Sequence, residues 1–269
     1  MRARALGRGS QFSLDDREFG IHSVFASALN LTSDDDPYPV TLVTQAHHAH
    51  PRSLVVELSG DTGFPVRGLS PGTRGEVRSG VLSFSSTGLG PFDLTSAPGF
   101  DEKMPQGRWA ADTLGRVWDS VVDAQHRKQT SLNLDRLDPG APGAAGPLAR
   151  GLSLLSSSWE EGALALVGLG TGLTPQGDDV LVGWLAALAT RGQAATLGPG
   201  KARTSLLSAS FLDLAERGLF SLALVSWVQS WNNPAESART LEALASVGHS
   251  SGLDAATGLL WGLLGPDRR

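Results

Sequence analysis

The amino-acid sequence predicts an α+β protein in which a small, mostly antiparallel β-domain precedes a helical domain. Short runs rich in Val, Ser, Thr and Phe occupy the first hundred residues, and apolar residues at helical spacing occupy the rest. All seven Trp lie at or beyond Trp109. Because strands come first and helices afterwards, the pattern argues against alternating α/β elements. We expect a β-rich domain at residues 1–104 and a mainly helical domain at residues 105–269.

The β-domain is predicted from four short runs, each bounded by clusters of Asp, Pro or Gly. These runs are Ile21–Leu31, Val40–Gln45, Ser53–Leu58 and Val77–Ser85.

The helical domain begins with Ala111–Lys128, whose apolar residues form one stripe. The low-complexity segment Asp138–Pro147 suits neither a helix nor a strand and predicts a connector. A short apolar run at Ala163–Val167 and a glycine turn come next. Four further helical patterns follow: Val180–Thr190, Thr204–Trp231 with a break near Gly218, Ala235–Ala245 and Asp254–Leu264.

Composition excludes several classes of function. The formal net charge is -5 and the chain has no Cys, so binding to nucleic acid through bulk charge, Cys-ligated metals and Cys nucleophiles are not expected. No apolar stretch approaches the roughly 20 residues of a membrane helix. We expect a cytoplasmic protein without a cofactor.

The most informative segment is the glycine-rich helix start Gly168–Asp179. Thr174 is predicted to cap the helix and Pro175 to take its first position. Free N–H groups and the helix dipole make such a start suitable for an anion. It is neither a Walker A loop nor a good dinucleotide fingerprint.

Two acids, Asp178 and Asp179, lie in the first turn of this helix. They can simply complement the helix dipole. Asp178 also heads an apolar stripe, however, and a carboxylate facing packed surface is costly unless it binds something. The pair could ligate Mg²⁺, but two adjacent acids are a weak metal signal, and we predict no metal.

The C-terminal segment repeats the pattern Gly-x-Asp-x-x-x-Gly-x-Leu, which fits both Gly177–Leu185 and Gly252–Leu260. Ser251 and Asp254 also approximate a capping box. We infer that the two helix starts converge on one pocket. The alternative is two ordinary capped helices packed through small residues.

In this pocket, N–H groups would hold an anion while Asp179 and Asp254 hold an amide or amine. Asp178, Asp179 and Asp254 are the catalytic candidates. The predicted substrate-binding residues are Gly170, Gly172, Thr174, Gly177, His249, Ser250, Ser251 and Gly252. The cluster His47-His48-Ala49-His50 resembles a metal site, but no acid accompanies it at ligand spacing, so a solvated loop is the favoured interpretation.

Taken together, these segments resemble the family of the oxamate carbamoyltransferase small subunit. Residues 21–25, 41–44, Gly168–Asp179 (GLGTGLTPQGDD) and Val247–Asp254 appear in family order. The resemblance spans roughly Phe19 to Leu264, and Gly-Leu-Thr-Pro-x-Gly-Asp-Asp is its specific motif. The family commonly has Pro and Ser where this chain has Thr171 and Gln176.

The resemblance implies carbamoyl transfer between phosphate and the amide nitrogen of oxamate, run in purine and allantoin catabolism as phosphorolysis of oxalurate. It also implies two larger partner subunits. A non-catalytic subunit that binds a small anion or supports assembly needs the same pocket. An unrelated lyase or hydrolase on the same scaffold stays open, because fold does not fix function.

Overall fold

A computed structural model describes the chain at residues 3–58, 63–64, 68–85, 88–132, 134, 137 and 146–265. The chain divides into two units, Met1–Glu102 and Lys103–Arg269, each with its own hydrophobic core. Strands fill the first unit and helices the second. The predicted α+β class is therefore confirmed. None of the helices in the described ranges is long and apolar enough to cross a membrane.

The first unit contains one eight-stranded sheet, in the order β1-β5-β4-β3-β2-β6-β7-β8. Only β4 and β5 pair in parallel; the other neighbours are antiparallel. The strands are β1 Ala3–Arg8, β2 Arg17–Val24, β3 Ala28–Ser33, β4 Asp36–Val43, β5 Ser53–Leu58, β6 Arg74–Arg78, β7 Val81–Phe84 and β8 Phe92–Asp93.

Two of the predicted strands are in fact hairpins. The run Ile21–Leu31 turns between β2 and β3, where Phe25 donates its N–H to the carbonyl of Ala28, 2.8 Å away. The run Val77–Ser85 turns at Ser79 and Gly80, which have φ angles of 51° and 74°. Two consecutive residues with positive φ form the tight turn that suits a two-residue hairpin loop. The strands β1 and β8 had no predicted counterpart.

The second unit contains eight α-helices within the described residues. They are α1 Ala111–Lys128, α2 Pro147–Ser157, α3 Trp159–Leu166, α4 Gln176–Thr190, α5 Leu206–Glu216, α6 Leu222–Gln229, α7 Pro234–Ala245 and α8 Ser251–Leu264.

The helix α1 has the predicted bounds, and the long pattern Thr204–Trp231 is broken as expected. Gly218, with φ 75°, lies in the break between α5 and α6. The helix α2 was not predicted, and it includes Pro147, the last residue of the predicted connector. Most of that connector, residues 138–145, lies outside the described residues.

The helices α4 and α8 pack together more closely than ordinary side chains allow. A Cβ atom added to Gly183 would collide with the backbone oxygen of Ala255, and one added to Gly258 would collide with that of Val180. The two glycines that match in the sequence repeat therefore let the helix backbones meet. This contact fixes the relative position of the two helix starts.

Candidate functional site

The helix starts of α4 and α8 lie side by side. Their contact agrees with the repeat, and a ligand pocket at this place stays a prediction. The hydroxyl groups of Thr174 and Ser251 are 2.9 Å apart. Gln176 Nε2 donates to Asp254 Oδ1 at 2.9 Å. Further along, Gly262 approaches Ala187. Because early residues meet early ones and late residues meet late ones, the helices run parallel, and the positive ends of both dipoles lie together.

The predicted helix caps differ from those in the structure. Pro175, not Thr174, is the N-cap of α4, and Ser250, not Ser251, is the N-cap of α8. Neither cap side chain accepts a hydrogen bond from a backbone N–H of its helix, and Ser251 is not the N-cap, so the predicted capping box of Ser251 and Asp254 is wrong. The Thr174 and Ser251 hydroxyls bond to each other instead. The first turns therefore keep N–H groups that a capping side chain would have used.

Two short segments of unpaired backbone N–H groups border the site. Within the described residues, no hydrogen bond is donated by the N–H groups of residues 170–174 or 248–251. Gly170, Gly172 and Gly248 have positive φ angles of 122°, 96° and 62°, which turn these segments tightly. Successive N–H groups in such turns form concave sites that bind anions.

Asp179 is buried at the centre of the site, with 8% of its surface exposed. Its Oδ2 atom is buried without a hydrogen-bond partner. Burial raises the pKa of Asp179 well above its usual value, and the charges of Asp254 and Asp178 raise it further. The hydroxyls of Ser251 and Thr174 act in the opposite direction. Asp179 therefore has a buried carboxyl oxygen whose hydrogen-bonding capacity is unused, at an energetic cost.

Asp254 is the matching acid of α8 and is fully buried, with 0% exposed. Its Oδ1 atom accepts from Gln176, and its Oδ2 atom is buried without a partner. Burial raises the pKa of Asp254 to about 6, against hydrogen bonds from Ser250 and Gln176 and the charge of His249. The site thus has two carboxyl groups, each with one unused oxygen.

Asp178 points into a different environment. Its Oδ1 atom accepts from the N–H of Gly168 at 2.7 Å, and its Oδ2 atom accepts from the hydroxyls of Ser208, at 2.7 Å, and Thr204. These bonds tie the glycine turn and the start of α5 to the first turn of α4. The structure gives Asp178 an architectural role, and the catalytic role expected for it stays a prediction.

Two of the predicted binding glycines are used for packing. A Cβ on Gly177 would collide with the Leu166 carbonyl, and one on Gly252 with the Leu244 carbonyl. The N–H of Gly177 donates to Leu169, and that of Gly252 donates to Val247. By contrast, Gly170, Gly172, Thr174, His249, Ser250 and Ser251 all border the two carboxyl groups or the unpaired N–H groups.

Sequence reasoning missed Gln176 as a site residue. Its side-chain amide joins Asp254 to Ser131, whose Oγ atom accepts from Gln176 Nε2 at 3.1 Å. The sequence signal for Gln176 was its position at the start of the first helix of the repeat, where it faces Asp254, the acid of the second helix.

The His cluster lies in the first unit, in and after a short 3-10 helix, Ala46–His48. The rings of His47 and His48 meet edge to face, with centroids 4.4 Å apart. His50 is buried, and desolvation together with the charge of Arg52 lowers its pKa to about 3. No group of three or more His, Cys, Asp or Glu suited to a metal ion occurs in the part of the chain that the structure describes.

In a comparison with known families, one family model matches the segment that contains both helix starts. A family model described as oxamate carbamoyltransferase subunit AllH matches residues 166–263. The resemblance to the small-subunit family is confirmed for this segment. The match includes α4, α8 and both unpaired N–H segments, and the wider span from Phe19 stays a prediction. No curated protein and no solved structure matches the chain.

Proposed function

We propose that the second unit carries the ligand site of an oxamate carbamoyltransferase subunit. The ligand would be small, with an anionic group at one end and an amide or ureido group at the other. One observation carries the proposal: Asp179 Oδ2 and Asp254 Oδ2 are buried without partners beside two segments of free N–H groups. Buried polar atoms usually have partners, so these oxygens match the N–H donors of a ligand.

The polarity of the site suits the two ends of such a ligand. The N–H groups of residues 170–174 and 248–251 supply donors for a carboxylate or phosphate at the positive ends of two helices. The carboxyl groups supply acceptors for amide hydrogens. Oxamate, oxalurate and carbamoyl phosphate each combine these features, and the family name supports this choice.

In the proposed reaction, the amide nitrogen of oxamate attacks the carbonyl carbon of carbamoyl phosphate. A C–N bond forms, the C–O bond to phosphate breaks, and phosphate leaves with the electron pair. The nitrogen keeps one of its two hydrogens and donates it in a hydrogen bond to Asp179. It loses the other as a proton to Asp254 Oδ2. With a pKa of about 6, Asp254 is mostly ionised at pH 7 and can accept this proton.

The remaining catalysis would come from positioning the two substrates and from N–H groups that stabilise the phosphate. The reverse reaction is phosphorolysis of oxalurate, which would supply carbamoyl phosphate in purine and allantoin catabolism. No cofactor takes part in this scheme, and a cytoplasmic location with larger partner subunits belongs to the same proposal.

The alternative is a non-catalytic subunit that binds a small anion or supports assembly while other chains carry out the transfer. The family description supports this alternative, because the description names a subunit rather than a whole enzyme.

A turnover assay separates the two functions. The full chain is supplied with carbamoyl phosphate and oxamate, alone and together with the proteins encoded beside its gene, and phosphate release is measured. We expect turnover that falls at least 10-fold in Asp254→Asn. The matched control is Asp119→Asn, an exposed acid on α1. Oxamate binding with turnover unaffected by Asp254→Asn would favour the non-catalytic function. Absence of oxamate binding would overturn the proposed ligand site and leave only a role in assembly.

A further inference from the structure

The contact between α4 and α8 is reciprocal. An offset of 75 residues relates Gly183 to Gly258 and Val180 to Ala255. Gly183 meets the carbonyl of Ala255, and Gly258 meets the carbonyl of Val180. Exchanging the two helices therefore reproduces the same pair of contacts, as in a two-fold symmetric interface. The two helices form a pseudo-two-fold pair.

The same offset relates the polar groups at the helix starts. It maps Gln176 onto Ser251 and Asp179 onto Asp254. Gln176, the first residue of α4, donates to Asp254 of α8. Ser251, the first residue of α8, faces Asp179 of α4 with its hydroxyl. Each acid is therefore approached by the first residue of the opposite helix.

The two halves differ in the length of that first residue. At Asp254, a side-chain amide fills the half-site: Gln176 Nε2 lies 2.9 Å from Oδ1 and is also held by Ser131. At Asp179, the equivalent residue is Ser251, whose side chain has three fewer heavy atoms and supplies no amide. Asp179 is approached by the hydroxyls of Ser251 and Thr174 but by no amide. The Oδ2 atom of each acid keeps no partner, so the amide at Asp254 is the difference between the two halves.

We propose that the amide of the ligand binds Asp179 in the place that the pseudo-two-fold axis assigns to the Gln176 amide at Asp254. This inference rests on the proposed function and assigns the amide or ureido group of the ligand to Asp179. The Gln176 amide then occupies at Asp254 the position that the ligand's amide occupies at Asp179. Ser251 is the specificity residue, because its short side chain leaves that position at Asp179 to the ligand. One ligand binds per chain.

The test places a side-chain amide of the protein itself next to Asp179. In Ser251→Gln, the new amide should reach Asp179 as Gln176 reaches Asp254, and the Kd for oxamate should rise at least 10-fold with folding intact. The matched control, Ser153→Gln, adds the same side chain at an exposed position on α2, and its Kd should stay within about threefold of that of the original chain. Titration calorimetry on the full chain gives both affinity and stoichiometry.

A double exchange provides the rescue. Gln176→Ser combined with Ser251→Gln moves the open half to Asp254, so oxamate binding should recover most of the affinity lost in Ser251→Gln. Should Ser251→Gln fail to fold, Ser251→Asn, with an amide one methylene shorter, is measured in the same way.

The outcomes separate this inference from the function beneath it. A folded Ser251→Gln protein that binds oxamate as well as the original chain overturns the inference and leaves the proposed function standing. So does a double exchange that binds no better than Ser251→Gln alone. Failure of the original chain and of every variant to bind oxamate overturns the inference and the proposed substrate class together.

Discussion

Asp178 and Asp179 are adjacent in the sequence and both are buried at the start of α4, yet their surroundings are opposite. Asp178 is 1% exposed and both of its oxygens accept hydrogen bonds from the chain. Asp179 is 8% exposed and keeps an oxygen without a partner. Neighbouring acids in one helical turn point to different sides, so each meets its own set of partners.

The difference separates an architectural carboxylate, Asp178, from the carboxylate that we propose binds the ligand, Asp179. A buried carboxylate with its hydrogen bonds satisfied stabilises the fold that holds it, whereas one without them costs free energy until a ligand supplies the partner. Burial alone does not distinguish the two acids. The number of hydrogen bonds already made by each oxygen does.

The largest expected effect on stability is that of Asp178→Ala. It leaves the Gly168 N–H and the hydroxyls of Thr204 and Ser208 without their acceptor. We expect the free energy of unfolding to fall by about 3–5 kcal/mol, measured by urea denaturation. The exposed control Asp119→Ala should change it by less than about 0.5 kcal/mol. Equal effects of Asp178→Ala and Asp119→Ala on the free energy of unfolding would contradict the architectural role of Asp178.

The next effect is a dependence of stability on pH. The pKa of Asp254 is about 6 in the folded chain, against 3.8 for a free side chain. Because the folded pKa is the higher one, the stability linked to Asp254 is present below pH 4 and is lost as the pH rises through 6. This loss is on the order of 2–3 kcal/mol.

Asp254→Asn should remove that loss. Unfolding free energies measured from pH 4 to pH 8 should therefore move in favour of the variant as the pH rises. Asp179 acts in the same direction in both proteins, so most of its contribution cancels in the difference. Parallel curves for the two proteins would contradict the raised pKa.

A smaller effect on the free energy of unfolding is expected at the contact between α4 and α8. This contact brings Asp179 and Asp254 to the same site. Gly183→Ala puts a methyl group against the Ala255 carbonyl and should lower the free energy of unfolding by about 2 kcal/mol. Gly115→Ala, on α1 with no atom near its Cβ position, should instead stabilise by about 0.5–1 kcal/mol. Thermal unfolding of both variants checks the sign, and stabilisation in both would refute the close approach.

The sequence was sufficient for the parts of the site that repeat. Matching glycines and acids in two helix starts predicted that Asp179 and Asp254 would converge, because glycine in a helix interior indicates close approach. Helical spacing also indicated that Asp178 was buried.

The remaining features depend on contacts made far along the chain. Thr204 and Ser208, which satisfy Asp178, lie 26 and 30 residues away in sequence. No local pattern distinguishes them from other hydroxyl residues. Gln176 was missed because a polar residue at a helix start is usually exposed. The hairpin at Ser79 and Gly80 was missed because apolar residues on both sides concealed the turn.

The central claim is that Asp179 binds the ligand while its neighbour supports the fold. The affinity of Asp179→Asn for oxamate tests this most directly, with the free energy of unfolding of the same protein measured alongside. Loss of one charge-assisted hydrogen bond, about 1.5–3 kcal/mol, predicts a Kd raised about 10- to 150-fold. Stability should stay within about 1 kcal/mol or increase, since a buried carboxylate with an unused oxygen is removed. Lower stability with unchanged affinity would contradict the account.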